Sequence, residues 1–165
     1  ETSQHFDYQR ILVNAFKDMS NNPSVQVFLT THSPIVVKQI SDYSLLRIVL
    51  IENDIRKVKK VDDKILTFHS LNEVIYLAFG ETSEEYHDEL YGYLKENNLF
   101  NDYSKDKEKL SYYRYREDNI IQIPLSTYIR HQIHHPENTR NRHFTQSELT
   151  QSIKDMRSFI KNLCR

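Results

Sequence analysis

Val27-Phe28-Leu29-Thr30-Thr31-His32-Ser33-Pro34 is the stretch on which the reading of this 165-residue chain turns. An apolar run with β character, Val25 to Leu29, ends there in two threonines and a histidine. Pro34 has no N–H to donate and forbids simple continuation of the strand. The pattern predicts a short buried strand, a polar loop carrying Thr31 and His32, and a brief helix over Ile35 to Ile40. Upstream, Tyr8, Ile11, Leu12, Ala15, Phe16 and Met19 recur at spacings of three and four, one stripe of an amphipathic helix that Asn21-Asn22-Pro23 ends. Downstream, Leu45 to Ile51 reads as a second apolar strand, Asp54 to Asp63 as a hairpin or exposed connection, and Ile65 to Phe68 as a short edge strand. Up to residue 69 this is an α/β pattern.

The stretch from Val27 to Pro34 resembles the switch-histidine loop of ABC-type and SMC-like ATPases, in which the histidine senses the γ-phosphate. Residues 1–12 resemble the segment that follows the Walker B acidic residues in SMC-like and OLD-like ATPases, where Glu-x-x-Leu-His-Pro-x-x-Gln is usual. Glu1, His5 and Gln9 match, while Gln4 and Phe6 replace Leu and Pro. The resemblance runs over roughly residues 1–52. It implies ATP and Mg as cofactors, with His32 as the switch histidine and Thr31 beside it at the nucleotide.

A phosphate-cradling GxxxxGK[ST] loop needs two glycines so that backbone N–H groups reach the phosphates. The chain holds only Gly80 and Gly92, and neither precedes a Lys-[Ser/Thr] pair. Residues 1–69 therefore read as the carboxyl-terminal portion of an ABC/SMC-like ATPase domain. Its first partner is the amino-terminal ATPase portion of the same protein, and without that portion no ATP hydrolysis is expected. The first residue, Glu1 rather than methionine, also points to a fragment of a longer protein.

After residue 69 the apolar period changes from two to 3.6. Leu71, Val74, Ile75, Ala78 and Phe79 form one stripe, closed by Gly80 as a C-cap. Thr82 and Glu85 have capping-box spacing and open a second helix burying Tyr86, Leu90, Tyr93 and Leu94, which Asn97-Asn98 ends. Residues 100–119 read as a polar, tyrosine-rich loop with a local hairpin around Tyr112 to Tyr115. A third helix is predicted from about Pro124 to His134, because Pro136 disfavours helix at His135. Thr145 and Glu148 form another capping box before Leu149, Ile153, Met156, Ile160 and Leu163. Residues 70–165 are thus expected to form a small four-helix bundle appended to the α/β piece.

Within Ser126-Thr127-Tyr128-Ile129-Arg130-His131-Gln132-Ile133-His134-His135-Pro136, Arg130 and His135 are separated by four residues. An arginine can clamp a scissile phosphate, and an imidazole can accept the proton of a 2′-hydroxyl. The segment resembles the Arg-x4-His motif of HEPN-type ribonucleases, helical bundles that cut RNA without metal, generally as dimers. The resemblance implies Arg130 as clamp and His135 as base, with His131 where the family usually has asparagine. On a regular helix residues five apart diverge by about 140°, so the pair converges only if the helix ends near His134. Residues 71–93 and 128–156 also resemble the carboxyl-terminal region of bacterial AAA/ABC-like ATPases found in phage-defence loci, which implies that setting.

Rival readings of the same residues stand beside this one. Histidines in a last helical turn can bond free carbonyls or fix an interface. His131 and His135, with His143 or Glu137, have the spacing of zinc ligands. His87, near Glu84 and Asp88, is either a supporting acid or base or a hydrogen-bonded helix histidine.

Charge is partitioned along the chain. Lys and Arg number 8 against 6 acidic residues over 1–61, 2 against 10 over 62–102, and 12 against 7 over 103–165. The last block can attract a polyanion or face the acidic block. Tyr112, Tyr113 and Tyr115 interleave with Arg114 and Arg116, which suits stacking bases while binding phosphates; Arg140 and Arg142 extend the basic set. The lone Cys164 excludes an internal disulfide and suits the cytoplasm. No apolar run reaches 18 residues, so no membrane partner is expected. The remaining alternatives are a helical module that docks an effector protein or a second copy, and a DNA-processing ATPase.

Overall fold

The computed structural model describes residues 6–40, 46–61, 64–68, 70–114 and 116–163. They divide into two compact units, Glu1–Asp62 and Asp63–Arg165. Glu1, His5, Leu45, Tyr115 and Cys164, which figure in the reading above, lie outside the described residues.

In the first unit α1 (Phe6–Ser20) and α2 (Pro34–Lys38) pack together, with Val13, Val36 and Val37 buried. α1 ends where Ser20 Oγ donates to the Lys17 carbonyl at 2.7 Å and the Asn22 side chain accepts from Ser24 N at 3.0 Å, a local turn that competes with helix. Proline stands in the first turn of α2, where its missing N–H costs nothing. The predicted stripe of α1 does not form a core: Tyr8, Ile11, Leu12 and Met19 are exposed.

The predicted strand at Val25 to Leu29 is absent. The segment carries no regular structure, and Phe28 is 85% exposed. A strand exists only beside another, and the strands of this unit pair with each other. β1 (Arg47–Glu52) and β2 (Ile55–Lys60) form an antiparallel hairpin with Val49 opposite Val58. Asn53 and Asp54 turn it with φ of 52° and 61°, the two positive values that a tight hairpin connection requires. The hairpin reading of Asp54 onward therefore holds, and the unit combines helices with strands, but its two described strands pair only with each other. Among the described residues the only sheets are two two-stranded antiparallel hairpins.

The second unit comprises α3 (Leu71–Phe79), α4 (Glu84–Glu96), α5 (Phe100–Ser104), β3 (Lys109–Arg114), β4 (Asn119–Pro124), α6 (Leu125–His134) and α7 (Gln146–Leu163). α4, α6 and α7 pack on one another, and α3 packs on α4. Their core joins Tyr86, Leu90 and Leu94 to Ile129, Leu149, Ile153, Met156 and Ile160. Each such side chain contributes about 1.5–3 kcal/mol on burial. Leu163, the last member of the predicted stripe, is in solvent.

The caps explain most boundaries. Gly80 takes φ +70° after α3. Thr145 and Glu148 make a reciprocal box, Thr145 N to Glu148 Oε2 at 2.8 Å and Glu148 N to Thr145 Oγ1 at 3.2 Å. Before α4 the cap is Ser83, not Thr82: Ser83 Oγ accepts from Tyr86 N, while Thr82 Oγ1 lies 3.0 Å from Thr150 Oγ1. The loop expected over 100–119 contains α5 and the whole of β3, because Phe100, Tyr103 and Tyr112 are buried anchors. Ile65 and Leu66 are not an edge strand. They are buried in the helical core, and their N–H groups donate to the Glu73 carboxylate at 2.8 and 3.4 Å. The unit boundary accordingly falls before them, upstream of the change of period at residue 69.

Candidate functional site

α6 ends where Pro136 ends it. His135 leaves helical geometry, with φ −132° and ψ 59°, while its N–H still donates to the His131 carbonyl at 2.9 Å. That departure cancels the divergence of a continued helix. Arg130 and His135 line one shallow cavity of about 240 Å³ together with Tyr91, His131 and His134.

Asp88, on α4, organises this cavity. Arg130 Nη1 donates to Asp88 Oδ1 at 3.0 Å, and His134 Nε2 lies 2.6 Å from Asp88 Oδ2. A carboxylate only accepts, so His134 carries its proton on Nε2. The Arg130 guanidinium lies over the Tyr91 ring, 4.8 Å from its centroid. His135 Nδ1 lies 3.3 Å from Glu137 Oε1, which by the same reasoning leaves Nε2 as the proton-accepting atom.

The His131 ring sits between Tyr112, at 5.0 Å, and His135, at 6.1 Å and nearly parallel. Its pKa is lowered by burial first and then by the charges of His135, Arg114, Arg130 and His134. The loop after His135 is stitched to the rest of the unit. Asn138 Nδ2 donates to the Tyr113 carbonyl at 2.8 Å, and Asn141 Oδ1 accepts from Tyr113 N at 2.8 Å. From α6, Tyr128 Oη donates to the Arg142 carbonyl at 2.7 Å, and Gln132 Oε1 accepts from Phe144 N at 2.8 Å.

Of the other basic candidates, Arg114, Arg140 and Arg142 have carboxylate partners. Arg114 Nη1 reaches both oxygens of Glu117 at 2.8 Å. Arg140 lies over the Tyr113 ring and 3.6 Å from Asp118. Arg142 pairs with Glu148 at the start of α7, and with the Thr145 cap this holds the Glu148 carboxyl down to about 2. Arg116 is exposed, and its charge is among those lowering the Glu137 carboxyl. Arg140 and Arg142 do not line the Arg130 cavity.

His87 is no surface acid or base. It is fully buried between helices, Nε2 lies 3.0 Å from Ser152 Oγ, and Nδ1 has no hydrogen-bond partner. Burial, and then the Arg130 charge, pushes its pKa down to about 3. Among the described residues no group of three or more His, Cys, Asp or Glu is placed to hold a metal ion, so His131, His135, His143 and Glu137 form no zinc cluster.

In the first unit His32 is exposed. Ser33 N donates to Thr31 Oγ1 at 3.0 Å, and Ser33 Oγ donates to Gln9 Oε1 at 2.6 Å. Thus α1 and the histidine loop meet through side chains that both resemblances had singled out or bordered.

A family model described as an AAA ATPase domain matches residues 1–37, which span α1, the Val27 to Pro34 stretch and most of α2. This amino-terminal stretch is similar to a piece of an AAA-type ATPase domain. No curated protein and no solved structure matches the chain. No helix among the described residues is long and apolar enough to cross a membrane.

Proposed function

We propose that this chain is the carboxyl-terminal part of an ATP-dependent AAA/ABC-like ATPase whose helical unit is a metal-independent ribonuclease. One observation carries the reading: Arg130 and His135 share an open cavity with two further imidazoles, and Asp88 fixes the orientation of Arg130 and His134. Support for the ATPase half comes from the family match over residues 1–37 and from the exposed apolar residues of α1, which suit burial against further ATPase polypeptide. ATP and Mg belong to that polypeptide, with His32 as this chain's contribution. A homodimer, the cytoplasm and an anti-phage setting complete the reading on the resemblance alone.

In the helical unit His135 Nε2 takes the proton of a ribose 2′-hydroxyl, and the 2′-oxygen attacks the adjacent phosphorus. The bond from phosphorus to the 5′-oxygen breaks, and that oxygen leaves with the Nδ1 proton of a doubly protonated His134, whose Nε2–H stays on Asp88. The products are a 2′,3′-cyclic phosphate and a 5′-hydroxyl. One of Arg130's five N–H donors is given to Asp88, and the others serve the phosphate. Arg114 and Arg116, at the hairpin, contribute charge beside the cavity.

The test is cleavage of single-stranded RNA by the protein joined to its ATPase portion, with chelator added at the nuclease step. Arg130→Ala with His135→Ala is expected to abolish cleavage and leave ATP turnover intact. Unchanged cleavage ends the proposal. A second reading, a docking module for an effector protein, is favoured by the carboxylate partners of Arg114, Arg130, Arg140 and Arg142. It predicts that the same substitutions abolish complex formation and that no preparation cuts RNA.

A further inference from the structure

The polypeptide enters the helical unit through Ile65 and Leu66, and their backbone is held by one buried side chain. Glu73, 1% exposed, accepts from Ile65 N at 2.8 Å, Leu66 N at 3.4 Å and Tyr86 Oη at 3.4 Å. Its charge is met by Arg157 of α7, whose Nη1 donates to Glu73 Oε1 at 2.9 Å. The Arg157 guanidinium lies 4.8 Å from the centroid of Tyr76 and 5.9 Å from that of Tyr86. A buried carboxylate so placed serves the entering backbone and the guanidinium at once: losing the backbone donors leaves it short of hydrogen bonds, and losing Arg157 leaves its charge unmatched.

The same residue is tied to the cavity by α4. Tyr86 and Asp88 stand two residues apart on that helix, which moves as a rigid body over so short a distance. Ser70 Oγ and Asn72 Nδ2, at the start of α3, both donate to the carboxylate of Glu89, the latter at 2.7 Å, so α3 and α4 are joined a second time beside Asp88. Arg130 and His134 reach Asp88 at 3.0 and 2.6 Å, and a side-chain contact stretched to about 3.6 Å is no longer a hydrogen bond.

We propose that Glu73 is a latch. It ties the position of the polypeptide entering the helical unit to α4 and hence to Asp88, so that withdrawing Ile65 and Leu66 loosens the Arg130–Asp88–His134 cluster. The proposal rests on this geometry and not on the ribonuclease reading. Its experiment contains no activity assay, so the two stand or fall separately.

The test is residue-resolved hydrogen exchange and histidine side-chain NMR on the full chain. In the unaltered protein the Ile65 and Leu66 amides should exchange in step with those of α3 and α4, not with the β1–β2 hairpin. Glu73→Gln should speed exchange at Ile65 and Leu66 by about ten- to a hundredfold, the equivalent of one hydrogen bond to a charged group. It should also shift the imidazole signals of His134. Thr145→Ala, which opens the cap of α7 at the far end of that helix from Arg157, supplies the control and should leave the His134 signals unshifted. If Glu73→Gln does not fold, Arg157→Lys, which keeps the charge and loses the planar fork, is read in the same way. Unshifted His134 signals, equal shifts in Thr145→Ala, or Ile65 and Leu66 amides that exchange with the hairpin in the unaltered protein would each overturn the latch.

Discussion

Asp88 and Arg130, 42 residues apart in sequence, meet at 3.0 Å between α4 and α6, and the second carboxylate oxygen of Asp88 holds His134. One acidic side chain thereby sets both the guanidinium and an imidazole. The pair is partly open, with Arg130 34% and Asp88 25% exposed, so its worth to stability is small while its worth to geometry is large.

Asp88→Asn should change unfolding free energy by at most about 1 kcal/mol, the range for ion pairs open to solvent. On the ribonuclease reading it should still lower cleavage by about 10²-fold, because both clamp and acid lose their orientation. Thermal melts and single-turnover cleavage measure the two quantities. A large loss of stability with proportionate loss of cleavage would make Asp88 a folding residue only.

The two capping assignments separate cleanly. Ser83→Ala should destabilise the helical unit by about 1 kcal/mol, since Ser83 Oγ accepts from Tyr86 N at 3.2 Å. Thr145→Ala should cost about as much, because it opens a reciprocal box. Urea midpoints of the two variants and of Ser83→Thr, which retains a cap, check this. A neutral Ser83→Ala would return the cap to Thr82.

What was legible in the sequence follows from what is local. Helices α1, α3, α4, α6 and α7 are visible because a 3.6 period and its caps lie within a few residues of each other. Pro136 made the end of α6 readable, and with it the meeting of Arg130 and His135 in one cavity. Val25 to Leu29 misled because apolar β character reports a tendency that only a neighbouring strand realises, and none lies beside it among the described residues. Ile65 and Leu66 misled for a related reason: their backbone partner is a carboxylate eight and seven residues on, not a strand. Asp88 and Tyr91 have no assignment at the site in the sequence reading, and Tyr112 figures there only as a base-stacking ring, because nothing in a linear spacing brings α4 or β3 to the end of α6. His87 drew the attention that its neighbour Asp88 merited, since burial, which no local pattern shows, separates the two.

His87 gives the pH dependence of the helical unit. Its folded pKa is depressed to about 3 from an ordinary 6.5, with burial as the main cause and the Arg130 charge second. Below pH 6.5 the unfolded chain takes up a proton that the folded protein refuses until about pH 3. The stability involved is therefore fully present above pH 6.5 and falls as the pH drops toward 3, by up to about 1.4 kcal/mol for each pH unit. Glu148, depressed from 4.5 to about 2 chiefly by Arg142, loses its smaller, solvent-weakened share in a lower window, between pH 4.5 and 2. His131 is lowered too and acts with the same sign as His87, so only a difference isolates the buried ring. His87→Gln retains an amide able to bond Ser152 and does not titrate. Urea unfolding between pH 7 and pH 5 should show the unaltered protein losing about 1 kcal/mol or more relative to His87→Gln over that span. Parallel curves would mean that the folded unit admits the proton, and that the core around His87 opens to water far more readily than its packing against Ser152 implies.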